Sequence, residues 1–429
     1  MRVLLYCYGS RGDVQPYAAL AAGLARAGHR ATLVAPGRFG PLATAHGAGF
    51  AALDSGLLDL LDLPEVQAMY LRDDRPTAEA KRTALMLRDE YHRLYPVLLR
   101  EAWEAAADGA DLVLFSQSNA EAMHQIPERL GAPAALTVLY PFYVPSRHYP
   151  STLLGSLGTA PKSLNRLSHV VSRRRRPAPE VAEAAAAWRS GVLGLADRPG
   201  ALDYRHGPGG APLPVLHGFS RHILAPAPDW PATVHTHGAW QLPVDPAWQP
   251  APELTAFLAA GPQPLAVGFG SLVGTDPETA GRHVAEAVAA TGHRAVVVTG
   301  WGGITIPDPP PEIFVTSDVP YEWLLPRVRL AVHAGGTGTL HTATAAGLPQ
   351  VACPFHREQL QWSRRLHRIG VAPPPLHQRD LTADRLAAAI READGEPRYR
   401  QRARVLAAGM RGEGGVPAIV DVLERLVTR

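Results

Sequence analysis

Three groups of residues in this chain of 429 residues have types and spacings that can do chemistry. The first is HAGGTGT, His333 to Thr339, which follows an apolar run and opens a helix. Strand, glycine-rich turn and helix N-terminus together make an anion cradle. Gly335, Gly336 and Gly338 let backbone N–H groups approach a ligand closely, the helix dipole favours negative charge, and Thr339 adds a hydroxyl. The same residues also suit a tight strand–helix turn that binds nothing. The second group is Glu358 and Gln359, just past the next apolar strand. An acceptor beside a mixed donor/acceptor matches a sugar diol, whose hydroxyls both give and take hydrogen bonds. The pair equally suits the capping of the helix that starts there. The third is GSRGD, Gly9 to Asp13. Asp13 either caps the following helix, with Pro16 in the first turn, or serves as a general base at a strand–helix turn.

Lesser candidates surround these. Ser271 closes the strand GFGSL and is a second turn aimed at the same sheet edge as the glycine-rich one. Trp301 and Trp323 either stack on a flat ring or fill the core. His235 and His237 are too isolated for a metal site, and no carboxylate motif accompanies them. His124 reads as structural. Neither a Ser-His-Asp nor a Cys-His arrangement can be assembled. GSRGD does not match GxGxxG, and GxxxxGK[ST] is absent from the sequence, so neither a nicotinamide site nor a P-loop is supported.

The elements that must position these residues form two series. RVLLYCY, the GSRGD turn, a helix from about Val14 to Ala27 and HRATLVAP make a βαβ opening, which predicts a parallel sheet with helices on both faces. Helix returns from about Ala84 to Ala107, interrupted at Pro96. DLVLFSQS and APAALTVL are further strands, and PVLHGFS reads as the last strand of this half. From Tyr140 to Gly158 the chain is aromatic and Pro-rich. Such a loop leaving a sheet edge either lines an apolar ligand pocket or merely packs its rings. The Pro-dense stretch 223–246 reads as a linker. PLAVGFGSL, HRAVVVTGWGG and IFVTSDVP then begin a second series that ends in helices. The expected organisation is residues 1–222, a linker at 223–246, and 247–429, with the last helix free to pack back on the first domain. The fold class is α/β, two doubly wound halves with a cleft between them.

Composition bounds the rest. Apolar residues are 46% and charged residues 19%, as in a globular protein, and net charge is only +3. That is too small an excess for a nucleic-acid binder, and the run Arg173 to Arg176 reads as a solvated loop. Cys7 and Cys353 fall in predicted buried strands of different halves, so no disulfide is expected. A strand begins at Arg2, leaving no room for a signal peptide, and no apolar run is long enough to span a bilayer. The expected location is the cytoplasm.

GSRGDVQPYAALAAGLARAGH, GFGSL, GWGG, VPYEWLLPRV and HAGGTGTLHTATAAGLPQ followed by PFHREQ occur in this order. Together they resemble the GT-B glycosyltransferases related to sterol glucosyltransferases and the antibiotic-modifying enzymes of actinobacteria. The resemblance covers nearly the whole chain and is weakest at 57–82 and 151–210. It implies an N-terminal half that binds an apolar small-molecule acceptor, a sterol, terpenoid or polyketide-like natural product. It implies a C-terminal half that binds a UDP- or dTDP-sugar. Transfer would be inverting and metal-independent, without a cofactor. Asp13 matches the proposed base. Ser271 and the turn at Gly335, Gly336, Gly338 and Thr339 would hold the diphosphate. Glu358 and Gln359 would read the sugar, and the segment around Val319 would hold the base ring, with Trp301 kept as a donor-side candidate from its own residue type. Acceptor contacts are expected from Ser10, Phe142, Tyr143 and Arg147.

The sequence departs from the family in the turn, which there reads HHGGAGT and uses its second His on the diphosphate. Ala334 stands at that place, and His333, one position earlier, is offset to the opposite face of the strand unless the turn bends early. His333 is kept as a donor-side candidate on that condition. Glu358 stands where Asp is commoner, and Arg357 beside it is a candidate partner for a donor carboxylate. Two other readings remain: a GT-B protein that binds a ligand or partner without transfer, which Ala334 favours, and a nucleotide-sugar epimerase or hydrolase, for which extra acid/base residues are not apparent.

Overall fold

The computed structural model describes residues 1–60, 63, 65–66, 77–151, 161–173, 178–197, 203–270, 276–300 and 303–428. Among the described residues, twelve strands form two wholly parallel sheets. The first contains β1 (Arg2–Tyr6), β2 (Arg30–Pro36), β3 (Gly49–Leu53), β4 (Leu112–Ser116), β5 (Ala134–Val138), β6 (Val215–His217) and β7 (Val234–Thr236), in the order β3-β2-β1-β4-β5-β6-β7. The second contains β8 (Leu265–Gly268), β9 (Ala295–Val298), β10 (Ile313–Thr316), β11 (Leu330–His333) and β12 (Gln350–Ala352), in the order β10-β9-β8-β11-β12. Continuous apolar runs such as Val3–Tyr6 and Leu330–Val332 are what strands covered on both faces require.

Each sheet reverses its winding once, between β1 and β4 and between β8 and β11. Loops leaving strands on either side of such a reversal diverge to opposite faces and open a crevice at the carboxyl edge. GSRGD leaves β1 and HAGGTGT leaves β11, so both motifs stand at these reversals.

Six helices matter below: α1 (Arg11–Arg26), α2 (Ala78–Glu104), α3 (Lys162–Arg173), α4 (Thr337–Ala345), α5 (Arg357–Arg368) and α6 (Gly415–Val427). Helix α1 begins at Arg11 rather than Val14. Helix α2 runs unbroken through Pro96. The expected interruption fails because buried Leu94, Tyr95, Leu98 and Leu99 hold both sides of the proline against the sheet, at the loss of one intrahelical bond. Val234–Thr236, expected in a linker, pairs with β6 as the seventh strand, so PVLHGFS is not the last strand of its sheet. Helix α6 packs on α1, with Val416, Ile419, Val420 and Leu423 in the core of the first sheet. Gly23 on α1 is where they meet: a Cβ there would collide with the Val416 side chain.

Candidate functional site

The carboxyl edges of the two sheets face a cleft of about 680 Å³. One wall is Ser10, Arg11, Gly12, Asp13 and Pro16, with Leu42, Leu139, Trp240 and Leu242 as its apolar part. The opposite wall is Ala334, Gly336, Thr337, Gly338, Thr339, Glu358 and Gln359, flanked by Val319, Tyr321 and Trp248. Asp13 and Glu358, far apart in the sequence, thus line one space because both sheets present their winding reversals to it.

Asp13 sits in the first turn of α1, three residues after the N-cap Ser10. Its Oδ2 accepts from the Ser10 amide at 2.9 Å and from the Ser10 hydroxyl at 3.0 Å. This is the return half of a capping box, so Asp13 does cap the helix, though not as its N-cap residue. The carboxylate curls back over Gly9, where φ is +145° and an added Cβ would lie 2.5 Å from Asp13 Oδ2. Only glycine leaves room for that pose. Burial raises the Asp13 pKa, and the two Ser10 bonds oppose the rise. One carboxylate therefore serves as cap and lines the cleft with raised basicity.

Across the cleft, burial pushes the Glu358 carboxyl up to about 8, Asp13 adds repulsion, and a hydrogen bond from the Tyr140 hydroxyl lowers it. Tyr140 follows β5 in the first domain, so that bond spans the two domains. Gln359 is committed on one side: its Oε1 accepts from the Phe355 amide at 3.1 Å. Its side-chain N–H₂ is the part left for a ligand.

The turn between β11 and α4 is braced from behind. The Gly335 amide donates to His333 Nδ1 at 2.9 Å, which fixes the proton on Nε2, directed to Gln350 Oε1 at 2.8 Å. Gln350 Nε2 donates on to Thr344 Oγ1 at 2.9 Å. His333 is 1% exposed, does not line the cleft, and is held near neutral form by burial, which lowers its pKa to about 4. The expectation of a donor contact is thereby corrected: the ring lies behind the turn, as the one-residue offset requires, and Ala334 occupies the cleft side. Gly335 also lies behind, at φ +87°, where a Cβ would meet Ser363 Oγ at 2.5 Å. Gly336, Gly338 and Thr339 line the cleft at the N-terminus of α4.

Among the acceptor candidates only Ser10 lines the cleft. Phe142 is buried in a cluster with Phe219, Trp362 and Leu366, and Tyr143 packs against the core of the first sheet. Arg147 is exposed, and its backbone N–H donates to Asp229 Oδ2 at 2.7 Å. The aromatic loop packs its rings, and Tyr140, which meets Phe142 and Trp362, also lines the cleft. The apolar part of this wall comes instead from Leu42 and Leu139 and from Trp240 and Leu242, the last two in the stretch read as a linker. The alternation of Trp240 and Leu242 was the one local signal for them. Trp323 meets Trp248 edge to face at 5.2 Å and carries Arg327 over its ring, while Trp248 lines the cleft. Ser271 and Trp301 lie outside the described residues, as does the side chain of Arg357. His341, not anticipated, lines the cleft and joins the domains: its Nε2 accepts from the Ser220 amide at 3.1 Å and its Nδ1–H donates to the Thr337 carbonyl at 2.7 Å.

The arrangement can hold an anion against amides and a helix N-terminus on one wall. It can hold a hydroxyl-bearing apolar molecule against a carboxylate on the other. No group of three or more His, Cys, Asp or Glu able to hold a metal ion occurs among the described residues, and none of their helices is long and apolar enough to cross a membrane.

Residues 284–427 match the erythromycin biosynthesis protein CIII-like C-terminal domain. Over 99% of its length the chain is 28% identical to a sterol 3-beta-glucosyltransferase of Cryptococcus neoformans and 29% identical to one of Aspergillus clavatus. It spans only 27% and 30% of those proteins. Among solved structures, the calicheamicin glycosyltransferase CalG4 aligns with a TM-score of 0.71 at 23% identity, covering 100% of this chain and 99% of that one. The glycosyltransferase VinC, solved in complex with dTDP, aligns at 0.67 and 19% identity, covering 100% of both chains. The chain therefore has the GT-B fold, and its similarity to sterol and antibiotic glycosyltransferases extends over nearly its whole length.

Proposed function

We propose that this protein is an inverting glycosyltransferase that moves a sugar from a UDP- or dTDP-sugar to a hydroxyl of an apolar small molecule. The observation that carries the reading is the pairing across one cleft of Asp13 with the α4 N-terminus and Glu358. The acceptor lies on Leu42, Trp240 and Leu242, with its hydroxyl at Asp13. Asp13 takes the proton as the acceptor oxygen attacks the anomeric carbon. The bond from that carbon to the diphosphate breaks, and its electron pair leaves with the phosphate oxygen. Amides of the turn at Gly336 to Thr339 and the α4 dipole receive that charge. Attack from one wall and departure toward the other is an in-line displacement, which inverts the anomeric centre.

Glu358 and the free amide of Gln359 take the sugar hydroxyls, and Val319, Tyr321 and Trp248 take the base. Arg11 is the one Lys or Arg among the described residues that line the cleft. Diphosphate binding therefore rests on backbone amides, and transfer is proposed to proceed without a resident metal. Ala334 favours the second reading, a binding protein without transfer. Loss of a charge-assisted bond costs roughly 1.5–3 kcal/mol, which weakens donor binding tenfold to hundredfold without removing the amides.

Calorimetric titration with UDP and dTDP, with and without EDTA, tests the donor half. Saturable binding of either, unchanged by the chelator, is expected. No binding of either nucleotide sinks the reading, and binding that EDTA abolishes overturns its metal-free part. The anomeric configuration of any product, read by NMR, tests inversion.

A further inference from the structure

One helix of the first domain is packed inside out. The side chains that α3 turns toward the body are polar: Asn165 is 2% exposed, and Ser168 and His169 are 5% exposed. They brace the loop after β5. Asn165 Nδ2 donates to the Arg147 carbonyl at 3.0 Å, Ser168 Oγ accepts from the Ser151 amide at 2.9 Å, and His169 Nε2 bonds the Tyr149 carbonyl at 3.0 Å. The apolar side chains point outward. Leu164, Leu167, Val170 and Val171 are 40 to 53% exposed and make up four of the seven large exposed apolar side chains among the described residues. The other three are scattered on separate elements. Leu164, Leu167 and Val171 stand at i, i+3 and i+7, which is one continuous stripe.

Nothing among the described residues accounts for a helix that shows its apolar stripe to water while hydrogen-bonding its polar stripe inward. The flank of the stripe supplies the missing term. Lys162 and Arg166 are exposed and, by helical spacing, lie together between the buried face and the apolar one. The helix contains no Asp or Glu, and in sequence it runs into Arg173 to Arg176. An apolar stripe edged by cations and free of anions is complementary to an anionic lipid surface: aliphatic side chains enter the headgroup–acyl boundary while cations meet phosphates. Four aliphatic side chains on one helix also make a small patch for a stable protein–protein interface.

We propose that α3 docks this protein on anionic membranes. The loop that α3 braces begins at Tyr140, in the cleft wall against Glu358. Lipid contact and cleft wall thus stand at the two ends of one loop. An apolar acceptor partitions into bilayers, so docking would bring the protein to its source. The docking itself does not depend on the transfer reading.

The test is cosedimentation of the whole chain with phosphatidylcholine vesicles containing phosphatidylglycerol, and with phosphatidylcholine vesicles alone. Wild type is expected to bind the anionic vesicles, weakly or not at all the neutral ones, and to be released by high salt. The double variant Leu167→Asp, Val171→Asp should bind about tenfold more weakly or worse, with thermal midpoint unchanged, because both positions face solvent. Lys162→Glu with Arg166→Glu should lose the preference for anionic lipid. Equal binding to both vesicles, no binding to either, or binding unaffected by the Asp variant would overturn the proposal. So would a dimer in light scattering that the same variant dissociates, since that would assign the stripe to a second copy.

Discussion

Asp13, on the first helix, raises the proton affinity of Glu358, on the opposite wall of the cleft and in the other domain. Two acidic groups set on facing walls hold more protons than they would apart. A ligand that separates or neutralises them therefore changes how the cleft titrates.

That relationship fixes a stability profile. The Glu358 pKa in the folded chain is about 8, above its ordinary value of 4.5. Between those values the folded state holds a proton the unfolded state has released, so stability falls as pH rises through this window. Glu358→Gln removes the penalty. Its thermal midpoint should match wild type near pH 4.5 and exceed it near pH 8.5. Scanning calorimetry at the two pH values checks this. A variant less stable than wild type at pH 8.5 would mean the charged carboxylate is held favourably.

Asp13 has two roles that substitution separates. Asp13→Asn keeps a side-chain acceptor for the Ser10 amide but cannot take a proton. Turnover should fall about 10²- to 10⁴-fold while the midpoint moves little. Asp13→Ala should also cost about 1 kcal/mol through the lost capping bond. If Asp13→Asn leaves turnover within a few-fold of wild type, only the capping role stands.

Gly335→Ala should destabilise by roughly 2 kcal/mol, because φ is +87° and the new Cβ meets Ser363 Oγ at 2.5 Å. Ser363→Ala in the same chain should recover part of the loss, leaving the backbone strain. Urea midpoints measure both. Full recovery would mean the turn relaxes.

His341→Ala should cost about 1–3 kcal/mol, since it strips a partner from the Ser220 amide on a residue that is 0% exposed. Because the bond joins the two domains, limited proteolysis at the domain boundary should also accelerate. An unchanged cleavage rate would confine His341 to a local role.

Ala334→His restores a ring on the cleft side of the turn. Affinity for a nucleoside diphosphate should rise about tenfold or more. Unchanged affinity in calorimetry would mean another group already fills that place.

The two βαβ series and the glycine-rich turn were legible in the sequence because they are local. Apolar runs mark buried strands, and the glycines of GSRGD and HAGGTGT sit where strands must turn into helices. The His333 offset was likewise readable from strand alternation. Contacts decided by tertiary packing were not. Trp240 and Leu242 lie in a stretch whose prolines read as a spacer, and their alternation alone does not tell that it folds over Tyr17 and the cleft. Phe142 and Tyr143 look like pocket residues but spend their rings on the core. Helix α3 carries a readable apolar stripe at Leu164, Leu167 and Val171, but nothing local tells that this stripe faces outward and the polar one inward.

The most direct test of the central claim is transfer itself. The protein is incubated with a panel of UDP- and dTDP-sugars and apolar hydroxyl-bearing acceptors, sterols among them, and the mixture is read for free nucleoside diphosphate and an acceptor heavier by one sugar. Both products in equal amounts, and their loss in Asp13→Asn, are the predicted result. Nucleotide binding without either product, across the panel, would contradict it and leave a GT-B protein that binds without transferring.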